Sequence, residues 1–324
     1  LIGFTRDEIK KYYIDYLKLV ASYENKCRVE EVTDAQIESM LDIMAQNYDG
    51  YCFDEDYEKK VFNTWSVNKF FQTMVGKKKV QFGEYWYDNG GLPSILVNYL
   101  KTHELNIFEY LDKDKFLKVS SDDFKNPTAL TTINQNVLMC QTGYLTLRSD
   151  LNKTSTVALG IPNGEIYKAL NRLLANNIFK GNTDITDDYG RSLLEVGTVD
   201  DIINLFNSAL NSVSYDNYPI VSESSVQNML KLYLLGAHQK VLSEVHEAKG
   251  RADLVVNTDN RRIVFEFKYA KNETEAKTKL SEAVEQIKTR DYGNILPKKA
   301  ELIRIAAVFN ADPKVRAFTE FQLV

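Results

Sequence analysis

Six prolines, three cysteines and three histidines are few for 324 residues, and each shortage removes a class of protein. Cys27, Cys52 and Cys140 are widely spaced and odd in number. They make no C-x-x-C pair and no disulfide framework, which points to a reducing cytoplasm. His103, His238 and His246 have no metal-ligand spacing and read as surface or internally satisfied histidines. No apolar run approaches the roughly 20 residues of a membrane helix, so no membrane partner is expected. The start, Leu1-Ile2-Gly3-Phe4-Thr5, lacks the basic and apolar regions of a signal peptide, and it also lacks a Met. The chain reads as a fragment whose natural N-terminus lies upstream. There is no G-x-S-x-G, hence no support for a hydrolase triad. Excess positive charge is missing too: 40 Lys and Arg stand against 45 Asp and Glu, a net −5. That excludes a protein that coats nucleic acid through bulk charge.

An ordinary globular balance is present, with 44% hydrophobic and 26% charged residues. The length suggests about two domains at ~150 residues each. Charge is uneven. From Asp216 onward there are 17 basic and 15 acidic residues, against 23 and 30 before it. No fixed-period repeat or low-complexity tract occurs.

The first part reads as helical. Thr5-Arg6-Asp7-Glu8 is a capping box, followed by Ile9, Tyr13, Tyr16, Leu17 and Val20 on one helical face. Thr33 to Gln36 repeats the device, and Asn63 is placed to cap a third helix carrying Val67, Phe70, Phe71 and Met74. Tyr48-Asp49-Gly50-Tyr51 is a turn signal. Further helices are expected near 93–102, 104–111, 131–141 and 163–176 and after Thr198, with a short β pair at 144–147 and 156–159. Asn211 to Ser222 shows neither helical nor strand period, which sets an expected boundary between domains 1–212 and 213–324.

Beyond it, 223–237 reads as an amphipathic helix. Strands follow at 240–246 and 251–256, then Thr258-Asp259-Asn260 as a tight turn and a strand at 262–268. A charged helix at 273–290 and strands at 302–309 and 318–324 complete an α-β-β-β-α-β-β order. The expected fold is α+β overall: a largely helical first part, then a mixed sheet flanked by helices.

Asp253, Glu266 and Lys268 stand out in this second part. Strand alternation puts Glu266 and Lys268 on one face and Phe265 and Phe267 on the other. Hairpin pairing brings Asp253 towards Glu266, close enough for two carboxylates to share one divalent ion. Hard oxygen donors of this kind suit Mg²⁺ or Mn²⁺. Such an ion polarises a phosphoryl oxygen and lowers the pKa of its water, while Lys268 orients the attacking water or stabilises charge in the transition state. An exposed charged strand face with an ordinary salt bridge fits the same spacing.

Gly250-Arg251-Ala252-Asp253, then Ile263-Val264-Phe265-Glu266-Phe267-Lys268, then Gln286-Ile287-Lys288 resembles the PD-(D/E)XK nuclease superfamily. More narrowly, it is similar to the nuclease-type domain that ends a family of bacterial AAA-ATPase-like proteins. The resemblance implies Asp253 and Glu266 as the metal pair, Lys268 as the catalytic lysine and Gln286 as a supporting residue on the following helix. Glu223 is the candidate for a first-helix carboxylate, and a charge favoured by the helix dipole fits it equally. Glu247 matches an acidic position ahead of G-R-x-D, though a solvated strand end also accommodates it. Arg251 either contacts phosphate or pairs with an acidic neighbour.

Earlier segments resemble the post-catalytic part of the same family's ATPase-like region. They include Tyr48-Asp49-Gly50-Tyr51, Asn63-Thr64-Trp65-Ser66, Tyr85-Trp86, Gly143-Tyr144-Leu145-Thr146 and Ile161-Pro162-Asn163. Asn47 and Thr64 depart from that family's pattern. No G-x-x-x-x-G-K-[ST] occurs, and Gly181 to Gly190 has the wrong spacing. ATP therefore enters only with upstream sequence, and this chain is not expected to hydrolyse it. The leading expectation is a Mg²⁺- or Mn²⁺-dependent nuclease acting on DNA or RNA. The alternative is an inactive nuclease-like fold that serves as a binding or regulatory module of an ATP-driven switch.

Overall fold

Threonine and asparagine side chains start the helices of the first part where the capping pattern puts them. The Thr5 hydroxyl accepts from the Glu8 amide while the Glu8 carboxylate accepts from the Thr5 amide at 2.8 Å. Thr33 and Gln36 make the same reciprocal pair, and Asn63 accepts from the Ser66 amide at 3.1 Å. Each cap satisfies amide groups that a helix start otherwise leaves unpaired.

The computed structural model describes residues 3–88, 94–100, 103, 105–126, 129–130, 132–149, 155–179, 189–237, 239–247, 250–293 and 301–324. Its description excludes the side chains at 87, 88, 189, 240, 243–247, 250 and 251. The chain divides into two compact units, Leu1–Leu170 and Asn171–Val324.

The first unit contains α1 (Arg6–Tyr12), α2 (Ile14–Asn25), α3 (Asp34–Tyr48), α4 (Thr64–Met74), α5 (Tyr85–Asp88), α6 (Ser94–Leu100), α7 (Ser121–Lys125) and α8 (Gln135–Gln141). Strands β1 (Leu117–Ser120), β2 (Thr146–Leu147) and β3 (Thr156–Gly160) form a small antiparallel sheet in the order β1-β3-β2. Helix α9 (Gly164–Ile178) crosses the division. Ile9, Leu17, Met40, Met44, Phe70 and Met74 are buried together in the core beneath α1 to α4.

Several elements differ from the sequence expectation. The first helix is two, because the backbone leaves helical geometry at Tyr13 (φ −118°, ψ 22°). There the Tyr13 ring stacks on Phe71 and its hydroxyl donates to Asn68 at 2.6 Å. Around 104–111 the described residues hold only a 3₁₀ turn, Ile107–Glu109. Its three-residue repeat buries both Ile107 and Tyr110 without a full helix. Helix α8 begins at Gln135, not 131, because Asn134 caps it. Residues 93, 101, 102, 104 and 131 lie outside the described set. At the Tyr48–Tyr51 turn Gly50 has φ +96°, and a Cβ there would stand 2.3 Å from the Pro162 carbonyl oxygen, so the position demands glycine.

The second unit contains α10 (Tyr189–Val196), α11 (Val199–Asn211), α12 (Glu223–Gly236), β4 (Lys240–Glu247), β5 (Gly250–Asn257), β6 (Arg261–Ala270), α13 (Glu273–Arg290), β7 (Glu301–Asn310) and β8 (Ala317–Leu323). From α12 onward the order is the expected α-β-β-β-α-β-β. The sheet runs β4-β5-β6-β7-β8. Its β6–β7 pair is parallel and the others are antiparallel. A parallel pair needs a crossover, and α13 supplies it, lying against both strands. Ala276, Ala283 and Ile287 form its buried stripe, small enough to bring the helix close to Val264 and Ala306. The β5–β6 hairpin turns at Thr258, whose amide donates to the Arg261 carbonyl at 2.9 Å. Phe265 and Phe267 stack with 5.5 Å between ring centroids and meet Phe206 of α11 and Phe318 of β8. The architecture is α+β. No helix among the described residues is long and apolar enough to cross a membrane.

Candidate metal centre

Strand alternation places Glu266 and Lys268 on the face opposite Phe265 and Phe267, and the two charges pair. The Lys268 Nζ stands 2.8 Å from Glu266 Oε1 and 3.3 Å from Glu223 Oε1. Glu223 reaches this point from the first turn of α12, whose start is set by the Ser222 cap. The hairpin register pairs Leu254 with Phe265, so Asp253 lies level with Glu266. There the ladder opens, and Asp253 Oδ2 accepts from the Phe267 amide at 2.9 Å. Gln227, one helical turn beyond Glu223, donates to the Asp253 main-chain carbonyl. α12, β5 and β6 thus converge on three carboxylates and one ammonium.

Glu266 is fully buried. Burial pushes its pKa up to about 7, with the negative charge of Asp253 adding to the effect and Lys268 opposing it. One of its oxygens, Oε2, is buried without a hydrogen-bond partner among the described residues. A buried carboxylate oxygen that accepts no proton is unfavourable unless a cation meets it. Burial pulls Lys268 down, but the hydrogen bond and charge of Glu266, with Glu223 and Asp253, more than offset this, so its pKa is raised. Lys268 stays protonated through the neutral range.

Two facing carboxylates, an unpartnered oxygen and a surplus of negative charge fit a hard divalent cation whose remaining positions are filled by water. No group of three His, Cys, Asp or Glu side chains in ion-binding geometry occurs among the described residues. The donors therefore fit a two-carboxylate site rather than a closed protein cage.

Gln286 lies on α13 and donates to the Tyr292 hydroxyl at 3.5 Å rather than to a carboxylate. Arg290 donates to the same hydroxyl at 2.6 Å. That bond raises the Arg290 pKa, with smaller contributions from Glu266 and Asp253. Glu247 and Arg251 occupy the paired strands β4 and β5, and their side chains lie outside the described residues. Gln227 and Tyr292 escaped the sequence reading. The i, i+4 spacing from Glu223 was a usable signal for Gln227. For Tyr292 the only signal was an aromatic just past a helix end.

Comparison with known proteins bears on this region. The sequence model of the PD-(D/E)XK nuclease superfamily matches residues 221–319. That segment forms a PD-(D/E)XK nuclease superfamily domain, which associates it with nuclease-type phosphodiester hydrolases. Such nucleases generally use divalent metal ions and bind nucleic acid. No curated protein matches the chain.

Proposed function

We propose that the PD-(D/E)XK domain is a metal-dependent nuclease that hydrolyses phosphodiester bonds in DNA or RNA. The observation that carries this reading is the buried Glu266 carboxylate, with its unpartnered Oε2, level with Asp253 and joined to Lys268. Asp253 and Glu266 would hold Mg²⁺ or Mn²⁺. When bound, the ion supplies Lewis-acid polarisation of a phosphoryl oxygen and acidifies a water. The protonated Lys268 orients the attacking water and stabilises negative charge as the new P–O bond forms and the leaving P–O bond breaks. Glu223 holds Lys268 between two carboxylates. Gln227 steadies the Asp253 strand, and Gln286 acts through Tyr292 at the end of α13. Glu247 and Arg251 are retained as supporting candidates, an acidic neighbour and a phosphate contact respectively.

With Mg²⁺ or Mn²⁺, the purified protein should cut DNA or RNA. Asp253→Ala and Lys268→Ala should each abolish the cutting. Undiminished cleavage in both variants would refute the site assignment.

Residues 1–212 fit an ATPase-like remnant of the bacterial AAA-ATPase-like family, with the nuclease-like domain at 213–324. The Tyr48–Tyr51 turn and the Asn63 cap, both formed, belong to the segments that carry the resemblance and have no catalytic role. This chain carries no G-x-x-x-x-G-K-[ST] loop to hold ATP. The three free cysteines are consistent with a cytoplasmic location.

A second reading is an inactive nuclease-like module of an ATP-driven switch. It draws on one observation: Lys268 is already engaged by Glu223 and Glu266. Calorimetric titration with Mn²⁺ separates the readings. Binding that is lost in Asp253→Asn supports the nuclease, and no binding in either protein supports the module.

A further inference from the structure

Lys268 is followed by Tyr269 on β6, and in the parallel register Val308 and Phe309 lie beside them on β7. At this end of the sheet two loops meet. One runs from α11 to α12 and ends at Glu223, the carboxylate that touches Lys268. The other is the turn from β7 to β8. Between them lies a pocket of about 240 Å³, with Tyr215 and Tyr218 from the first loop, Lys314 and Arg316 from the second, and Phe309 of the sheet among its lining residues. No acidic side chain is among its described lining residues.

Arg316 is unusual in three ways. Its guanidinium carbon stands 3.6 Å from the Tyr215 ring centroid, a close cation–π stack. Its Nε is buried and has no hydrogen-bond partner among the described residues. Its backbone has φ +46°, a left-handed conformation that an arginine adopts only at a cost. The turn is already closed without the side chain, because the amides of Val315 and Arg316 both donate to the Asp312 carbonyl. Glycine would satisfy that backbone better. An arginine held there against its backbone preference, with an unused donor, indicates a side chain kept for a ligand.

The ligand chemistry follows from the groups. A guanidinium suits phosphate oxygens, and the exposed Lys314 adds a second positive charge. Tyrosines and an arginine plane suit the face of an unstacked base. We infer that this pocket binds one unpaired nucleotide of a single strand, its phosphate on Arg316 and Lys314, on the aromatic face of the sheet at the end where Lys268 leaves the opposite face. The subsite's place in catalysis rests on the nuclease reading, whereas its affinity for a single strand does not.

The test uses the full chain in two assays. Fluorescence anisotropy in EDTA measures binding of labelled (dT)₁₂ and (rU)₁₂ and of the (dT)₁₂·(dA)₁₂ duplex. Cleavage of the single strands with Mn²⁺ is measured alongside. Single strands should bind at least tenfold tighter than the duplex. Arg316→Gly should weaken single-strand binding at least tenfold with no loss of melting temperature, and should raise KM more than it lowers kcat. Lys314→Glu, at an exposed position, should weaken binding similarly, and it decides the matter if Arg316→Gly melts early. Wild-type binding in Lys314→Glu and Arg316→Gly, or equal binding of duplex and single strand, would overturn the subsite. Arg316-dependent binding with no cleavage by the wild type would leave the subsite standing and refute the nuclease reading.

Discussion

Glu165 is a second buried carboxylate, and it lies in the first unit. It is 2% exposed. Its Oε2 accepts from the Ser66 hydroxyl at 2.6 Å and its Oε1 from the Trp86 amide at 2.9 Å, which ties the start of α9 to α4 and α5. Burial outweighs these hydrogen bonds and pushes its pKa up to about 7. The folded state therefore binds a proton that the unfolded state releases between about pH 4.5 and pH 7. Stability falls as pH rises through that window, by at most roughly 3 kcal/mol from this group. Glu165→Gln should gain on the wild type as pH increases from 4.5 to 8 in urea melts. A pH-independent difference between the two would contradict the assignment. Glu266 shares the elevated value but differs in kind: both Glu165 oxygens have hydrogen-bond donors, while Glu266 Oε2 has none among the described residues. That contrast separates a structural clamp from a candidate ligand.

At the scale of elements, the hairpin and crossover that carry the site were legible because each has one dominant period. Alternation along Ile263 to Lys268 fixed both faces of β6, and Leu280, Ala283, Val284 and Ile287 marked the inward face of a charged helix at 273–290, which the structure starts at the Asn272 cap. Asn272 accepts from the Glu275 amide at 3.0 Å. Asn272→Ala should therefore cost about 1 kcal/mol, measured by chemical denaturation. Phe318 of β8 packs on Phe206, Phe267 and Phe309. Phe318→Ala should cost about 3–5 kcal/mol, more than any cap. What the sequence did not disclose was tertiary in origin. Strand β1 is four residues long and runs directly into α7, too short for its alternation to register. The break at Tyr13 leaves the apolar stripe intact, so periodicity alone read one helix. In the site, E-x-K spacing revealed Glu266 and Lys268. Gln227 acts through a main-chain carbonyl, with only its i, i+4 offset from Glu223 as a signal, and Tyr292 acts through two neighbouring side chains and leaves no spacing signature.

At the scale of the whole molecule, the matched nuclease domain covers under a third of the chain, at 221–319. The first unit has its own core and, in Glu165, a buried acidic clamp. The slight excess of positive charge lies in the second part, where Arg316 and Lys314 stand at the sheet end that bears Lys268. In the proposed reading, an acidic chain meets a polyanion locally, through a bound cation and two basic residues, without a basic surface overall. The chain lacks a phosphate-binding loop, so ATP incubated with it should release no phosphate above background, by a colorimetric assay. The central claim is that Glu266 serves a metal-dependent phosphodiesterase. The most direct test is the Mn²⁺-dependent cleavage rate of a single-stranded oligonucleotide by wild type and by Glu266→Gln, which keeps the side chain's size and removes its charge. The account predicts cleavage by the wild type, none in EDTA, and a rate at least about 100-fold lower in the variant. Equal rates in the two proteins, or no cleavage by the wild type with either Mg²⁺ or Mn²⁺, would contradict it.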